Sequence, residues 1–399
     1  MFYCPPVEIR VSIDVGCKFH QVAVGLSSGE ILDEFSIVHQ PDGFRTFFSK
    51  LEQLEQQYQC PVLVAMEGYN GYARPLDSMV LARGWQLYNI NNLKLARFKE
   101  IFPGAAKTDA IDARRGLELF QIKDHLPTTK DVLQLVAEPP RENQMLKRFS
   151  RRRRRLVNER VRVLNNLQSD LQAVCPSLLL LTGDAGNIWF LRLLTSTDDL
   201  RKLPRLQLKT LRKIPGIGVK YAGLVQQWQK HAQFSVEVEW AGEMIQDDSA
   251  RILELHRQIK AMEAKMEAVA ANSKIAGLLT TIPGFGPVCT AELSGEIGNE
   301  ARFSKEASLA LYMGMAALDH SSGQYQGSKT PRQVNRRAKA AMMVAVDRHR
   351  KYVPESQRYY AKKRAEGKGH NQAVRALGRH LCRTIFKMLK ENRPYKIKS

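Results

Sequence analysis

VEIRVSIDVGCKFHQVAVGLSSGEILDEFSIV, residues 7–38, is the stretch whose reading decides the fold. Apolar and polar side chains alternate through VEIRVSIDV with the period of a strand that has one face in a core. QVAVGL and EILDEFSIV follow, separated by the turn-forming SSG, so three sequential strands joined by hairpins are expected. From Asp42 to Tyr58 the period changes: Phe44, Phe47, Phe48, Leu51 and Leu54 fall on one face of a helix. A buried strand VLVAME, a helix around Ala73 to Arg83, the strand QLYNI and the helix TDAIDARRGLELFQ complete the block.

The order βββαβαβα is that of a ribonuclease-H-like, RuvC-like sheet, so the expected fold class is α/β followed by helical regions. Ala137-Glu138-Pro139-Pro140 is a natural break, because helices stop before Pro. Three regions are expected: a RuvC-like domain over 1–138, a helical coiled-coil region with an insertion over 139–273, and a basic, mostly helical domain over 274–399. In the middle region one arm runs from about Arg141 to Val174, with Met145, Phe149, Leu156, Val163, Leu167, Leu171 and Val174 at mostly heptad-compatible spacing. A second arm carries Ile252, Leu255, Ile259, Met262, Met266 and Val269 in strict 3,4 steps. Two such arms suit a helical hairpin, a coiled-coil contact between subunits, or two core helices of a bundle. The stretch from Cys175 to Val236 between them has no legible role.

Composition narrows the function. The 399 residues hold 61 Lys+Arg against 40 Asp+Glu, a net charge of +21, which points to a polyanionic partner. From Pro331 to Ser399 there are 20 Lys+Arg and 4 Asp+Glu, so the last sixth of the chain carries most of the excess. With 44% hydrophobic residues a folded core is available, and no apolar run is long enough for a membrane helix. The six cysteines are far apart with no CxxC pair, and the N-terminus lacks a secretory pattern; both suit the reduced thiols of a cytoplasmic protein.

Four carboxylates stand out. Asp14 lies near the end of the first strand and Glu67 ends the fourth; Asp109 and Asp112 are one helical turn apart in KTDAIDARR. A charge beside a core strand must be paired or bind a metal. In a ribonuclease-H-like sheet these positions converge, and four converging carboxylates need a hard divalent cation, Mg²⁺ or Mn²⁺. Such ions orient an attacking oxygen and stabilise a leaving oxygen at phosphorus. Taken singly, each residue has an ordinary reading: Asp109 as part of a helix cap, Asp112 as a partner of Arg114 or Arg115, Glu67 as a strand end.

Basic and glycine-rich stretches supply candidate nucleic-acid contacts. The run Arg151, Arg152, Arg153, Arg154 and Arg155 covers more than a full helical turn and is a candidate for phosphate contact. IPGIG (214–218) and IPGFG (282–286) resemble helix-hairpin-helix turns, in which glycines let the backbone approach a phosphate. A bare helix–helix turn is an equal reading for the first copy; the second, with Gly284 and Gly286, is favoured for nucleic acid. Lys329 closes HSSGQYQGSK (320–329), where Ser322 alone would pass as an ordinary loop serine, and Arg332, Arg336 and Arg337 follow it.

Together these segments resemble the DEDD-type transposases of the insertion sequence 110 family and its 1111 group. IDVGCKFHQVAV, MEGY and KTDAIDARR resemble the family's nuclease half. LTTIPGFGPVCTAELSGEIGNEARFSKEASLALYMGM, SSGQYQGSKTPRQVNRRAK and GKGHNQAVRALGRHLCRTIFKML resemble its C-terminal half. The resemblance implies that Asp14, Glu67, Asp109 and Asp112 hold Mg²⁺ and that Ser322 is a nucleophile forming a 5′-phosphoserine link to DNA. It further implies target and donor DNA, a structured bridge RNA that guides both, and a dimer of dimers in which the acidic centre assists from a neighbouring subunit. Val334 stands where the family often has glycine before the asparagine, here Asn335, and Ser321 adjoins Ser322, so the register of the nucleophile is open to one residue. The alternative is a hydrolytic RuvC-like nuclease or Holliday-junction resolvase, which needs the carboxylates but not Ser322.

Overall fold

The computed structural model describes residues 7–67, 74–101, 108–125, 132–329, 331 and 334–396. The chain divides into two units, Met1–Glu138 and Pro139–Ser399.

The first unit is built on a six-stranded mixed sheet. Its elements are β1 (Ile9–Val15), β2 (Phe19–Leu26), β3 (Ile31–Val38), α1 (Pro41–Tyr58), β4 (Val62–Glu67), α2 (Arg74–Ala82), β5 (Gln86–Ile90), α3 (Asn92–Lys99), α4 (Asp109–Gln121) and β6 (Leu133–Leu135). The strand order is β3-β2-β1-β4-β5-β6. The first three strands pair antiparallel, β1, β4 and β5 pair parallel, and β6 returns antiparallel. This is the mixed sheet with helices that the alternation predicts, consistent with a ribonuclease-H-like fold. Two elements exceed the prediction. Helix α3 has a single buried residue, Leu95, and hence no readable stripe; Asn91 starts it by accepting from the Lys94 amide. Strand β6 has three residues, too few for a period to register.

The two faces of the sheet are covered by different helices. Ile9, Val11 and Ile13 of β1 pack with Phe44, Phe47 and Phe48 of α1 and Leu76 and Val80 of α2. On the other face Leu63, Ala65, Tyr88 and Ile90 meet Leu95 of α3 and Leu119 and Phe120 of α4. Arg10, Ser12 and Asp14 alternate with the first set and so face α4. Buried Arg10 donates to the carbonyls of Phe120 and Gln121 at 2.7 and 2.8 Å, a cation at the negative end of that helix. Halfway along, Ser12 abuts Gly116, where a Cβ would fall 2.3 Å from Oγ. Two residues of strand rise about 6.6 Å and four of helix about 6 Å, so the next step along this antiparallel pair matches Asp14 to Asp112.

The second unit is mostly helical. Helix α5 (Arg141–Val174) is followed by α6 (Pro176–Leu179), α7 (Ile188–Leu194), a 3-10 turn over Leu200–Arg205, α8 (Leu208–Lys213), α9 (Gly218–Gln229) and α10 (Val238–Ala270). Then come α11 (Lys274–Thr280), α12 (Pro287–Ile297), α13 (Glu306–Tyr312), the hairpin β7 (Leu318–Ser322) and β8 (Tyr325–Lys329), α14 (Arg336–His349), α15 (Pro354–Ala365) and α16 (His370–Glu391). The two arms pair with each other, antiparallel: Arg153 meets Glu263 near one end and Glu159 meets Arg251 further along. The apolar positions read as a possible contact between subunits are used inside one chain, where Leu156, Val163, Leu167 and Leu171 share a core with Ile252, Leu255 and Ile259. The stretch between the arms folds onto the same core through Trp189, Phe190, Val225 and Trp228. Regions 139–273 and 274–399 lie in one unit, joined by α12 against α5. Among the described residues no helix is long and apolar enough to cross a membrane.

Candidate functional site

The acidic residues of the first unit gather where β1, β4 and α4 meet. Asp14 is next to last in β1, Glu67 ends β4, and Asp109 and Asp112 occupy the first turn of α4 behind its cap, Thr108, whose Oγ1 accepts from the Ile111 amide. Negative charge in that turn suits the helix dipole. Burial, and then the charges of Glu67, Asp109 and Asp112, push the Asp14 carboxyl up to about 6. Asp14 therefore feels all three of the other acids.

Sequence reasoning missed one member of this group. Lys99, the last residue of α3, places Nζ 3.6 Å from Glu67 Oε2 and 3.0 Å from Asp112 Oδ1. Its pattern gave no signal, because α3 itself was not expected. Among the described residues no group of three or more His, Cys, Asp or Glu is drawn in to metal-holding distance. The donor chemistry nevertheless fits a divalent cation: four carboxylates supply hard oxygens with no soft ligand among them. Lys99 stands between two of them.

Ser322 belongs to a different kind of surface. The stretch expected to be a loop is a two-stranded ribbon in which Ser322 pairs with Tyr325 across a tight turn. Gly323 opens that turn at φ 56°, the left-handed conformation two-residue hairpins require. All five residues of β7 are exposed, so no apolar alternation could announce the strand. Among the described residues nothing hydrogen-bonds the Ser322 hydroxyl. Ser321 and Ser322 both lie on this exposed strand.

Past the hairpin, Asn335 caps α14, accepting from the amides of Arg337 and Ala338 at 3.0 and 3.1 Å. Val334 is absent from the positive-φ residues, so this turn does not demand the glycine that the resemblance led one to look for. Lys329, Arg336 and Arg337 are exposed; Arg332 lies outside the described residues. Two arginines in the first turn of a helix oppose its dipole, a cost that a polyanion would relieve.

The arginine run divides. Arg151 makes a two-pronged bond to Glu296 at 2.8 and 3.0 Å, Arg154 reaches Glu292 at 3.1 Å, and Arg153 reaches Glu263 at 2.7 Å. Glu292 and Glu296 are buried in α12, and Arg151 and Asn335 hold the Glu296 carboxyl below its usual range against the opposing effect of burial. These three arginines therefore bind helices together, and the uniform phosphate-contact surface expected from sequence is reduced to the exposed faces of Arg152 and Arg155. The partners lie more than a hundred residues away, beyond the reach of a local pattern.

The glycine turns also differ from each other. Both join a short helix to a longer one, and their first glycines share a left-handed φ, 93° at Gly216 and 87° at Gly284. A Cβ on Gly284 would lie 2.6 Å from the His349 amide nitrogen, and His349 Nδ1 bonds the Pro283 carbonyl at 2.8 Å. Gly284 thus serves close packing against α14, a sufficient reason for glycine without a phosphate. Gly286 is exposed at the start of α12, with open space where a Cβ would stand.

Comparison with known proteins joins these surfaces in one family. A DEDD-type model described as "Transposase" matches residues 11–176, which include all four carboxylates. A second, "Transposase IS116/IS110/IS902 family", matches residues 276–361, which include Ser322. The chain is similar to the 43.6 kDa protein of insertion element IS110 from Streptomyces coelicolor, 26% identical with 99% of this chain and 97% of that protein aligned. It is also similar to the 44.8 kDa protein of insertion element IS116 from Streptomyces clavuligerus, 24% identical with 97% and 96% aligned. A 42 kDa protein of IS900 from Mycobacterium paratuberculosis is 26% identical, with 82% of each chain aligned. With two matching transposase segments in the right order and relatives aligned along nearly its whole length, the chain is a DEDD-type transposase of the IS110 family, an enzyme of DNA transposition whose acidic centre calls for a divalent metal.

Proposed function

We propose that this transposase is an RNA-guided, site-specific recombinase that cuts and rejoins DNA through a phosphoserine at Ser322, assisted by Mg²⁺ at Asp14, Glu67, Asp109 and Asp112. The observation that carries the reading is the convergence of four carboxylates from three separate elements, where Lys99 bridges Glu67 and Asp112 and the charges of Glu67, Asp109 and Asp112 all bear on Asp14. Mg²⁺ bound there would supply charge stabilisation at phosphorus. Glu67 and Asp112, freed from Lys99, would offer oxygens to it, and Asp14 would have to be deprotonated to join them.

Ser322 Oγ would attack a DNA phosphorus, form an O–P bond and expel the 3′ oxygen, which leaves as a 3′ hydroxyl. The serine proton passes to a base or to solvent. A 3′ hydroxyl from another strand then attacks the phosphoserine and releases Ser322, so the strands rejoin without ATP and pass through a Holliday junction. The exposed ribbon suits a nucleophile that must reach into duplex DNA. Lys329, Arg336 and Arg337, and Arg332 by sequence, are proposed to hold the phosphate backbone beside it. A bridge RNA and a dimer of dimers, with the acidic centre acting on a neighbouring subunit's serine, rest on the family resemblance, and the RNA also on the excess of positive charge.

A second reading remains specific: with no partner on its hydroxyl among the described residues, Ser322 leaves room for water as the nucleophile, which would make the protein a hydrolytic nuclease or junction resolvase. Incubation with Mg²⁺, RNA transcribed from the element's end, and labelled target and donor DNA separates the two on a denaturing gel. Label that migrates with wild-type protein and not with Ser322→Ala supports the recombinase. Free cut DNA made equally by both proteins supports the resolvase.

A further inference from the structure

Lys99 sits where a cation would. Its ammonium bridges the end of β4 and the start of α4, 3.6 Å from Glu67 and 3.0 Å from Asp112, with under a quarter of each side chain exposed. Its positive charge also reaches Asp14, where it opposes the effect of the three other acids. The fold thus brings four negative charges together and, among the described residues acting on Asp14, supplies one positive charge, Lys99. A lysine suits the task, because its compact charge rides on a flexible four-carbon stem that can swing toward solvent. The same acids are not drawn in to hold a metal while the ammonium stands between two of them.

We propose that Lys99 is a tethered counter-ion: it holds the acidic centre together when no metal is bound and is displaced when a divalent cation enters. The inference rests on the reading of the four carboxylates as a metal centre. Its consequence is that Lys99 weakens metal binding, so the centre fills only when the cation outcompetes a resident charge. Removing the ammonium abolishes that competition and leaves the metal-free centre with uncompensated repulsion.

The test is Mn²⁺ titration of the full chain, followed by the electron paramagnetic resonance signal of free Mn²⁺, together with thermal unfolding in EDTA and in saturating Mn²⁺. Lys99→Met is expected to bind Mn²⁺ about tenfold more tightly than wild type, the scale of one neighbouring charge. Its unfolding temperature is expected to fall in EDTA and to recover in Mn²⁺. Lys99→Arg, which keeps the charge, is expected to bind as wild type does. Should Lys99→Met fail to fold, Lys99→Gln removes the charge with a polar side chain and carries the same expectations. Equal or weaker Mn²⁺ binding by the neutral variant, even with reduced stability, would make Lys99 an ordinary ion pair and overturn the proposal while the metal centre stands. If wild type binds no more Mn²⁺ than an Asp14→Asn, Asp112→Asn double variant, the metal reading fails and the proposal with it.

Discussion

The acidic edge of the sheet and the serine ribbon are built on opposite principles. Asp14, Glu67 and Asp112 are half-buried at the end of a sheet and helix that fit at Ser12 and Gly116, and burial, then the neighbouring acids, push the Asp14 carboxyl up. Ser322 sits on β7, a strand exposed along its whole length, and no described residue bonds its hydroxyl. The first surface is assembled by the fold before any substrate arrives. The second acquires its surroundings from whatever it meets. On the proposed reading the difference has a reason: a metal centre must collect charges that repel and so needs rigid elements, whereas a nucleophile aimed at duplex DNA needs reach.

The largest effects should separate these two surfaces. Asp14→Asn and Ser322→Ala are each expected to reduce strand transfer by about a thousandfold or more, as loss of a metal ligand or nucleophile does. Only Asp14→Asn should also change Mn²⁺ binding and unfolding in EDTA. If Ser322→Ala alters metal binding as strongly, the two are not independently built. Next in size are two close contacts within the helical unit. Arg151→Met strips a carboxylate buried in α12 of its strongest partner, and a loss of about 2 kcal/mol is expected in chemical denaturation, reduced from the fully buried case because the arginine is partly exposed. Gly284→Ala should cost a similar amount, about 2 kcal/mol, from its left-handed φ and its clash with α14.

Acidity sharpens the difference further. The folded Asp14 carboxyl titrates near 6 against about 3.8 when unfolded, so the folded state binds its proton more tightly. Its effect on stability is therefore a penalty that grows as pH rises from about 4 to about 6 and is complete above that. In EDTA, the unfolding temperature of wild type relative to Asp14→Asn should rise as pH falls from 7 to 5; Ser322→Ala should follow wild type throughout. The smallest effect concerns the ribbon's surroundings. Neutralising Lys329, Arg336 and Arg337 should lower the salt dependence of DNA binding by about one unit of slope for each phosphate left without its cation. Metal binding should stay unchanged.

Much of the acidic half was legible in sequence because its pattern is local and periodic. Alternation in β1 to β3, the phenylalanine stripe of α1 and the three-residue spacing of Asp109 and Asp112 each follow from the element that carries them. What escaped depends on distance or on missing contrast. Lys99 ends a helix with one buried side chain, and nothing in its neighbours points to residues 67 and 112. Arg151 and Arg154 read as a basic run until α12 supplies Glu296 and Glu292. The strand that carries Ser322 is exposed at every residue, so it has no apolar period. The two long arms were readable as apolar seams, but only the fold reveals that they meet each other within one chain.

The covalent serine link is open to direct detection by digesting the DNA-reacted protein with trypsin and nuclease and analysing it by mass spectrometry. The peptide Glu306–Lys329 contains Ser308, Ser321, Ser322 and Ser328 and no internal lysine or arginine. A phosphonucleotide is expected on this peptide, assigned by fragmentation to Ser322, and absent after reaction of Ser322→Ala or Asp14→Asn. A peptide that stays unmodified while the DNA is cut, or a phosphonucleotide that fragmentation places on any other residue, would contradict the serine mechanism.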